Sequence, residues 1–213
     1  MATFEKGILG GFSGKVGNVV GSRWRGKNVM RSLPQRGNYT ATEKQEEQRQ
    51  KFKVVIGFLS PIVDVLSNYF GSPQGDKSRS NLATSYHLKN AVVSTPQGMV
   101  MDYAKVLISK GDLRGIDGGT VAAAAGQVLN FSWQDNSGQG KATATDKLMV
   151  VVYAPDLNLF YTNMAAATRD ATTASVTLPN FMASFEVEVW ASFSKPGTNF
   201  AAISTYMGAA TVL

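Results

Sequence analysis

Residues Gly21-Ser-Arg-Trp-Arg-Gly26-Lys27-Asn28 carry the spacing GxxxxGK, the start of a phosphate-binding loop. In such a loop backbone amides cradle the phosphates, the Lys reaches them, and a following Ser or Thr hydroxyl holds Mg²⁺. Asn28 stands where that hydroxyl belongs, and Val29-Met-Arg-Ser-Leu-Pro34 offers no helix whose N-terminus faces a phosphate. Nucleotide hydrolysis is therefore not expected, and the spacing reads as a turn.

The same stretch carries a basic and aromatic set, Lys15, Arg23, Trp24, Arg25, Lys27, Arg31 and Arg36. Ammonium and guanidinium groups neutralise phosphates, and an indole stacks on a base. Residues 6–36 hold seven basic residues and no acidic one, and residues 1–53 hold eleven basic against four acidic, a net of +7. Residues 54–213 hold ten against eleven, so the whole basic excess lies in the first quarter. One reading is contact with nucleic acid or another polyanion. The other is a charged ribbon facing a neighbouring subunit, with Trp24 anchoring it. Residues two apart on a strand share a face, so Arg23, Arg25 and Lys27 are expected on one side and Trp24 on the other.

The remaining candidates for chemistry are sparse. The chain has no Cys, which excludes disulfides and thiolate metal sites, and its one His, His87, has no acidic or Cys companion in sequence. Asp102, Asp112, Asp117, Asp135 and Asp146 lie near turns without the dense alternation of a calcium loop. Trp190, Phe193, Phe200 and Tyr206 read as core or subunit contacts. No catalytic, cofactor or metal set is identified, so neither enzymatic activity, a cofactor nor a small-molecule substrate is expected.

The elements that position these residues fall into three segments. Residues 1–38 form a Gly-rich basic arm, with strands at 16–24 and 28–33 around Arg25-Gly26-Lys27. Gly7, Gly10, Gly14, Gly17 and Gly21 make a helix there improbable, and they fit either an arm bent along its own domain or one laid on another subunit. Residues 39–96 are helical. Thr40 and Glu43 fit a capping box, Phe52, Val55, Ile56 and Leu59 form one apolar face, and Pro61 kinks the helix or opens a second. A third helix is expected from residue 81 to about 93. Residues 97–213 turn to short β runs, at 103–109, 120–124, 128–134, 147–154, 159–163, 174–178, 185–193 and 200–206, with a last one near 209–212. The predicted class is α+β, mainly β, ending in an antiparallel, immunoglobulin-like β-sandwich with Trp133 as a core anchor.

The run GILGGFSGKVGNVVGSRWRGKNVMRSLP, then TATEKQEEQRQKF, DYAKVLISKGDL and FSWQDNSGQGKATATDKLMVVVY, resembles a family of uncharacterised proteins encoded in Bacteroidota genomes, nearly end to end. The resemblance implies one module retained as a unit, from a bacterium or its mobile elements, and transfers no site. No signal peptide is recognised and no window approaches the ~20 apolar residues of a membrane span, so a cytoplasmic or virion location is expected. The expected role is a non-enzymatic, homo-oligomeric structural protein, such as a subunit of a phage-like particle. Its arm would serve self-association or docking. The alternative is a nucleic-acid-binding protein contacting the phosphate backbone through residues 6–36.

Overall fold

The computed structural model describes residues 2–3, 12–35, 37, 40–96 and 98–213. The chain divides into two compact units, Met1–Glu46 and Glu47–Leu213.

The first unit contains strands β1 (Ala2–Thr3), β2 (Gly14–Val16), β3 (Val19–Trp24) and β4 (Lys27–Ser32), in the antiparallel order β1-β4-β3-β2. The β3–β4 connection is two residues long. Arg25 and Gly26 both have positive φ, 48° and 80°, as in a type I′ turn, whose twist matches that of the strands it joins. The expected three-residue turn is therefore one residue too long, and Lys27 opens β4. Gly21 has a different use. A Cβ there would sit 2.5 Å from the Phe12 ring, so only glycine lets that ring lie on the sheet.

The helices are α1 (Glu43–Leu59), α2 (Val63–Tyr69) and α3 (Arg79–Asn90). The helix start is displaced by two residues from the expected capping box, and only its Gln half forms. The Thr42 amide donates to Gln45 Oε1 at 3.2 Å, and the Gln45 and Glu46 amides donate to the Thr42 carbonyl. Pro61 lies in a 3₁₀ turn, Ser60–Ile62, and α2 starts directly after it. By length and composition the helical stretch Glu43–Tyr69 is apolar enough to cross a membrane. Val55, Phe58, Leu59, Ile62, Val65 and Leu66 of this stretch are buried in the protein core, 33% of its apolar window, while Phe52 and Val63 are exposed. The third helix stops at Asn90, and Val92 enters a hairpin, β5 (Val92–Thr95) with β6 (Gly98–Met101), that the sequence reading did not foresee.

The remaining strands are β7 (Asp117–Ala124), β8 (Val128–Gln134), β9 (Lys147–Ala154), β10 (Leu159–Asn163), β11 (Thr173–Thr177), β12 (Glu186–Ser194) and β13 (Thr205–Thr211). They form two antiparallel sheets, β11-β8-β7 and β10-β9-β12-β13. The protein is thus mainly β, with a β-sandwich whose core joins Leu129, Phe131 and Trp133 of β8 to Val150 and Val152 of β9 and Val187 and Val189 of β12. The four-stranded sheet is buried on its other face as well. There Val151, Tyr153 and Trp190 join the apolar side chains of α1 and α2. This explains why β9 reads as the unbroken run LMVVVYA rather than an alternation.

Two expected strands are absent. Residues 103–109 begin as a 3₁₀ turn, Tyr103–Lys105, and then run extended, because Leu107 donates to the His87 ring, Ile108 to Ser204 Oγ and Lys110 to the Tyr69 carbonyl. Residues 200–204 make only isolated bridges, and the last strand is one element, β13.

Arg169 is fully buried. Its Nε donates to Asp146 Oδ2 at 3.1 Å, Nη2 to the Arg114 carbonyl at 2.9 Å, and Nη1 to Asn136 Oδ1, while the guanidinium lies 3.9 Å over the Phe193 ring. Burial pushes its pKa down and Asp146 pushes back. Arg169→Met would leave the Asp146 carboxylate buried without its cation, and is expected to cost about 3–5 kcal/mol in urea unfolding. Adding Asp146→Leu is expected to recover part of that loss, because an apolar pair needs no partner.

Candidate functional site

The register of the first unit sorts the basic residues. Lys15 faces Val20, Val20 faces Arg31, Ser22 faces Val29, and Trp24 faces Lys27. Residues directly opposite share a face and alternate residues share a face, so Lys15, Trp24, Lys27 and Arg31 lie together. Arg23, opposite Asn28, lies on the other side. This reverses the expected sorting, and the reason is the two-residue turn. Removing Lys27 from the turn sets it across from Trp24. Arg25, in the turn, places its guanidinium 4.9 Å from the Trp24 ring centroid.

The charged side chains and Trp24 reach solvent, whereas Val29 on the Trp24 face is buried. Lys15, Arg23, Arg25, Lys27 and Arg31 are exposed, and Trp24 is 53% exposed although an indole is normally covered. None of the ion pairs among the described residues involves them. The Trp24–Lys27 row and the Lys15–Arg31 row are four residues apart along the strands, about 13 Å. Arg36 and the glycines Gly7 and Gly10 lie outside the described residues. The GxxxxGK spacing is resolved as a hairpin: Gly21 and Ser22 pair with Met30 and Val29 in the β3–β4 ladder, and no phosphate loop forms.

His87 is a buried member of the second unit. Its Nδ1 lies 2.8 Å from the Ala83 carbonyl, so it must donate, and its Nε2 accepts the Leu107 amide at 3.2 Å. Both nitrogens are thereby committed to backbone, in the neutral Nδ1–H tautomer, and burial holds the ring below its usual pKa of 6.5. Asp102 pairs with Lys105 at 2.7 Å and Asp117 with Arg114 at 2.8 Å, while Asp135 accepts the Ser137 amide in a local turn. The side-chain bonds from Asn136 and Arg114 hold Asp117 below the usual carboxylate range.

A recess of about 500 Å³ lies in the second unit. Phe58, Tyr103 and Tyr153 line it together with α1 residues Gln50, Lys53 and Gly57. The Tyr103 and Tyr153 rings lie 5.7 Å apart between centroids, and Tyr153 donates its hydroxyl to Asn158 Oδ1 at 3.1 Å. Burial, then the neighbouring Tyr153 and Glu188, push the Tyr103 phenol up to about 12. Tyr206, bonded to Glu188, is raised as well. The sequence mark of this place is Gly57, in the last turn of an otherwise apolar-faced helix.

A family model described only as a family of unknown function, DUF6266, matches residues 11–208. No curated protein matches. Among solved structures, the fn3 domain of human collagen alpha-1(XX) chain is similar at 17% identity and a TM-score of 0.32, over 49% of this chain and 89% of that one.

The state of His87 has a measurable consequence. With its pKa depressed in the folded state, the unfolded chain binds the extra proton, so His87's contribution to stability is complete above pH 6.5 and is lost as pH falls below it. Urea unfolding is expected to weaken below pH 6.5 by up to about 1.4 kcal/mol per pH unit. His87→Gln is expected to flatten the profile there, since His87 is the one His in the chain.

Proposed function

Since the chain belongs to this family of unknown function and inherits no activity from it, we propose that it is a non-enzymatic docking protein whose N-terminal sheet binds a polyanion, with single-stranded nucleic acid the best fit. One observation carries this reading: Lys15, Lys27 and Arg31 share a face with an exposed Trp24. Unpaired cations meet phosphates, and an indole beside them stacks on a base, which is the combination that single-strand binding uses. Arg25 over the indole adds positive charge at the stacking position.

Self-assembly is the second reading. It is favoured by Val16 and Val19, 63% and 38% exposed on the opposite face. A subunit of a phage-like or mobile-element particle from a Bacteroidota host would use both, one face toward nucleic acid and one toward a neighbouring copy. The body is read as immunoglobulin-like. Its strand order supports this, with the first, second and fifth strands in one sheet and the other four in the second.

Binding of a fluorescent oligothymidylate to the full chain is expected to weaken with salt. Replacing Lys15, Lys27 and Arg31 by Ala is expected to reduce the slope of log K against log salt by about 2, and Trp24→Ala to cost about 1–3 kcal/mol. Arg23→Ala, on the other face, is expected to change binding least among the single cation variants. Binding indifferent to salt and to these replacements would eliminate the polyanion reading. For assembly, light scattering after size exclusion should show an oligomer that a chain lacking residues 1–38 does not form. A strictly monomeric full chain at high concentration counts against it.

A further inference from the structure

We propose that the recess beside α1 is a binding site for a small aromatic carboxylate. Its lining comes from five places that converge on one spot: α1, β6, the 3₁₀ turn at Tyr103, β9 and the β9–β10 turn at Asn158. Its volume of about 500 Å³ is that of a small-molecule pocket.

The chemistry of the lining selects the ligand. The aromatic floor is rigid, because Phe58 makes edge contacts with Tyr153 and with Phe160, each at 5.1 Å between ring centroids. Trp190 packs against Phe58 as well, and its indole N–H is tied to the Tyr103 carbonyl. Met99 and Met101 supply adaptable thioether walls that pack well on a flat ring. A planar apolar body fits between them.

The free donors on the lining favour an acceptor or a negative charge. Asn158 Oδ1 accepts the Tyr153 hydroxyl, which leaves the Asn158 amide N–H groups to donate. Lys53 and Gln50, three residues apart and so on one side of α1, add a cation and a second amide. Lys53 takes part in none of the ion pairs among the described residues. No carboxylate lines the recess: the adjacent Asp102 is held by Lys105, and Glu188, which neighbours Tyr103, accepts the Tyr206 hydroxyl.

Gly57 is the second, independent observation. It sits in the last turn of α1 and lines the recess, and a Cβ built on it meets nothing within 4 Å. Its φ is not positive, and no neighbour presses on it, so neither backbone conformation nor packing requires glycine there. The bare helix wall weakens α1 and keeps open a space that an occupant would fill.

Isothermal titration of the full chain with phenylacetate and 4-phenylbutyrate tests this, with 4-phenylbutanamide as the neutral control. Saturable binding of at least one carboxylate is expected, with the amide weaker by about tenfold. Lys53→Met is expected to remove that preference. Gly57→Leu, which fills the recess from a helix position, is expected to abolish binding while melting at the same or a higher temperature. The proposal is overturned if neither carboxylate gives saturable heat at millimolar concentration, or if Gly57→Leu remains folded and binds as the wild type does.

Discussion

A guanidinium removed from water is stable only when its charge and its donors are met, and Arg169 organises one end of the sandwich by that requirement. Its partners come from far apart in sequence: Asp146 before β9, Asn136 after β8, and the carbonyls of Arg114 and Gly115 before β7. Each partner is fixed in turn. Asp146 also accepts from Thr143, Asn136 donates to Gly115 and Asp117, and the Arg169 carbonyl receives the Trp133 indole N–H at 2.7 Å. No buried side-chain nitrogen or oxygen among the described residues lacks a partner. The cost of desolvating the charge is thus converted into geometric constraint: three loops take the single arrangement that satisfies it.

From that end the two sheets close over a shared apolar core, and the four-stranded sheet then serves as the floor for the helices. Trp190 and Phe193 belong to one strand yet lie in different cores, because their three-residue separation puts them on opposite faces. The helical side is where the sheet acquires aromatic rings of several origins, from α1, the 3₁₀ turn, β9 and β10. The recess beside α1 exists because these rings pack edge to face and because Gly57 leaves the helix wall bare.

In the N-terminal sheet the controlling quantity is a turn length. Side chains alternate with a period of two, so one residue more or less in the β3–β4 connection moves every β4 side chain to the other face. The two-residue turn puts Lys27, Val29 and Arg31 with Trp24. A three-residue turn would have separated the charges from the indole and given a different surface from the same composition.

The amino-acid sequence determined the large features by composition and periodicity. The concentration of charge in the first quarter, the apolar face at Val55 and Leu59, and strands β8, β9 and β10 at their observed bounds all follow from local patterns that tertiary packing did not override. It left undetermined whatever depends on a partner distant along the chain. The 103–109 run reads as a short β-rich run, but its hydrogen bonds go to His87 and Ser204, and the next amide, Lys110, to Tyr69, which no local pattern announces. Likewise Arg169 reads as an ordinary surface cation until four separated segments enclose it, and Tyr103, Tyr153, Asn158 and Lys53 have no sequence relation at all. Periodicity reports which side of an element is apolar. Only the tertiary structure decided what that side meets, because burial and the directions of hydrogen bonds are set by segments far apart in the chain.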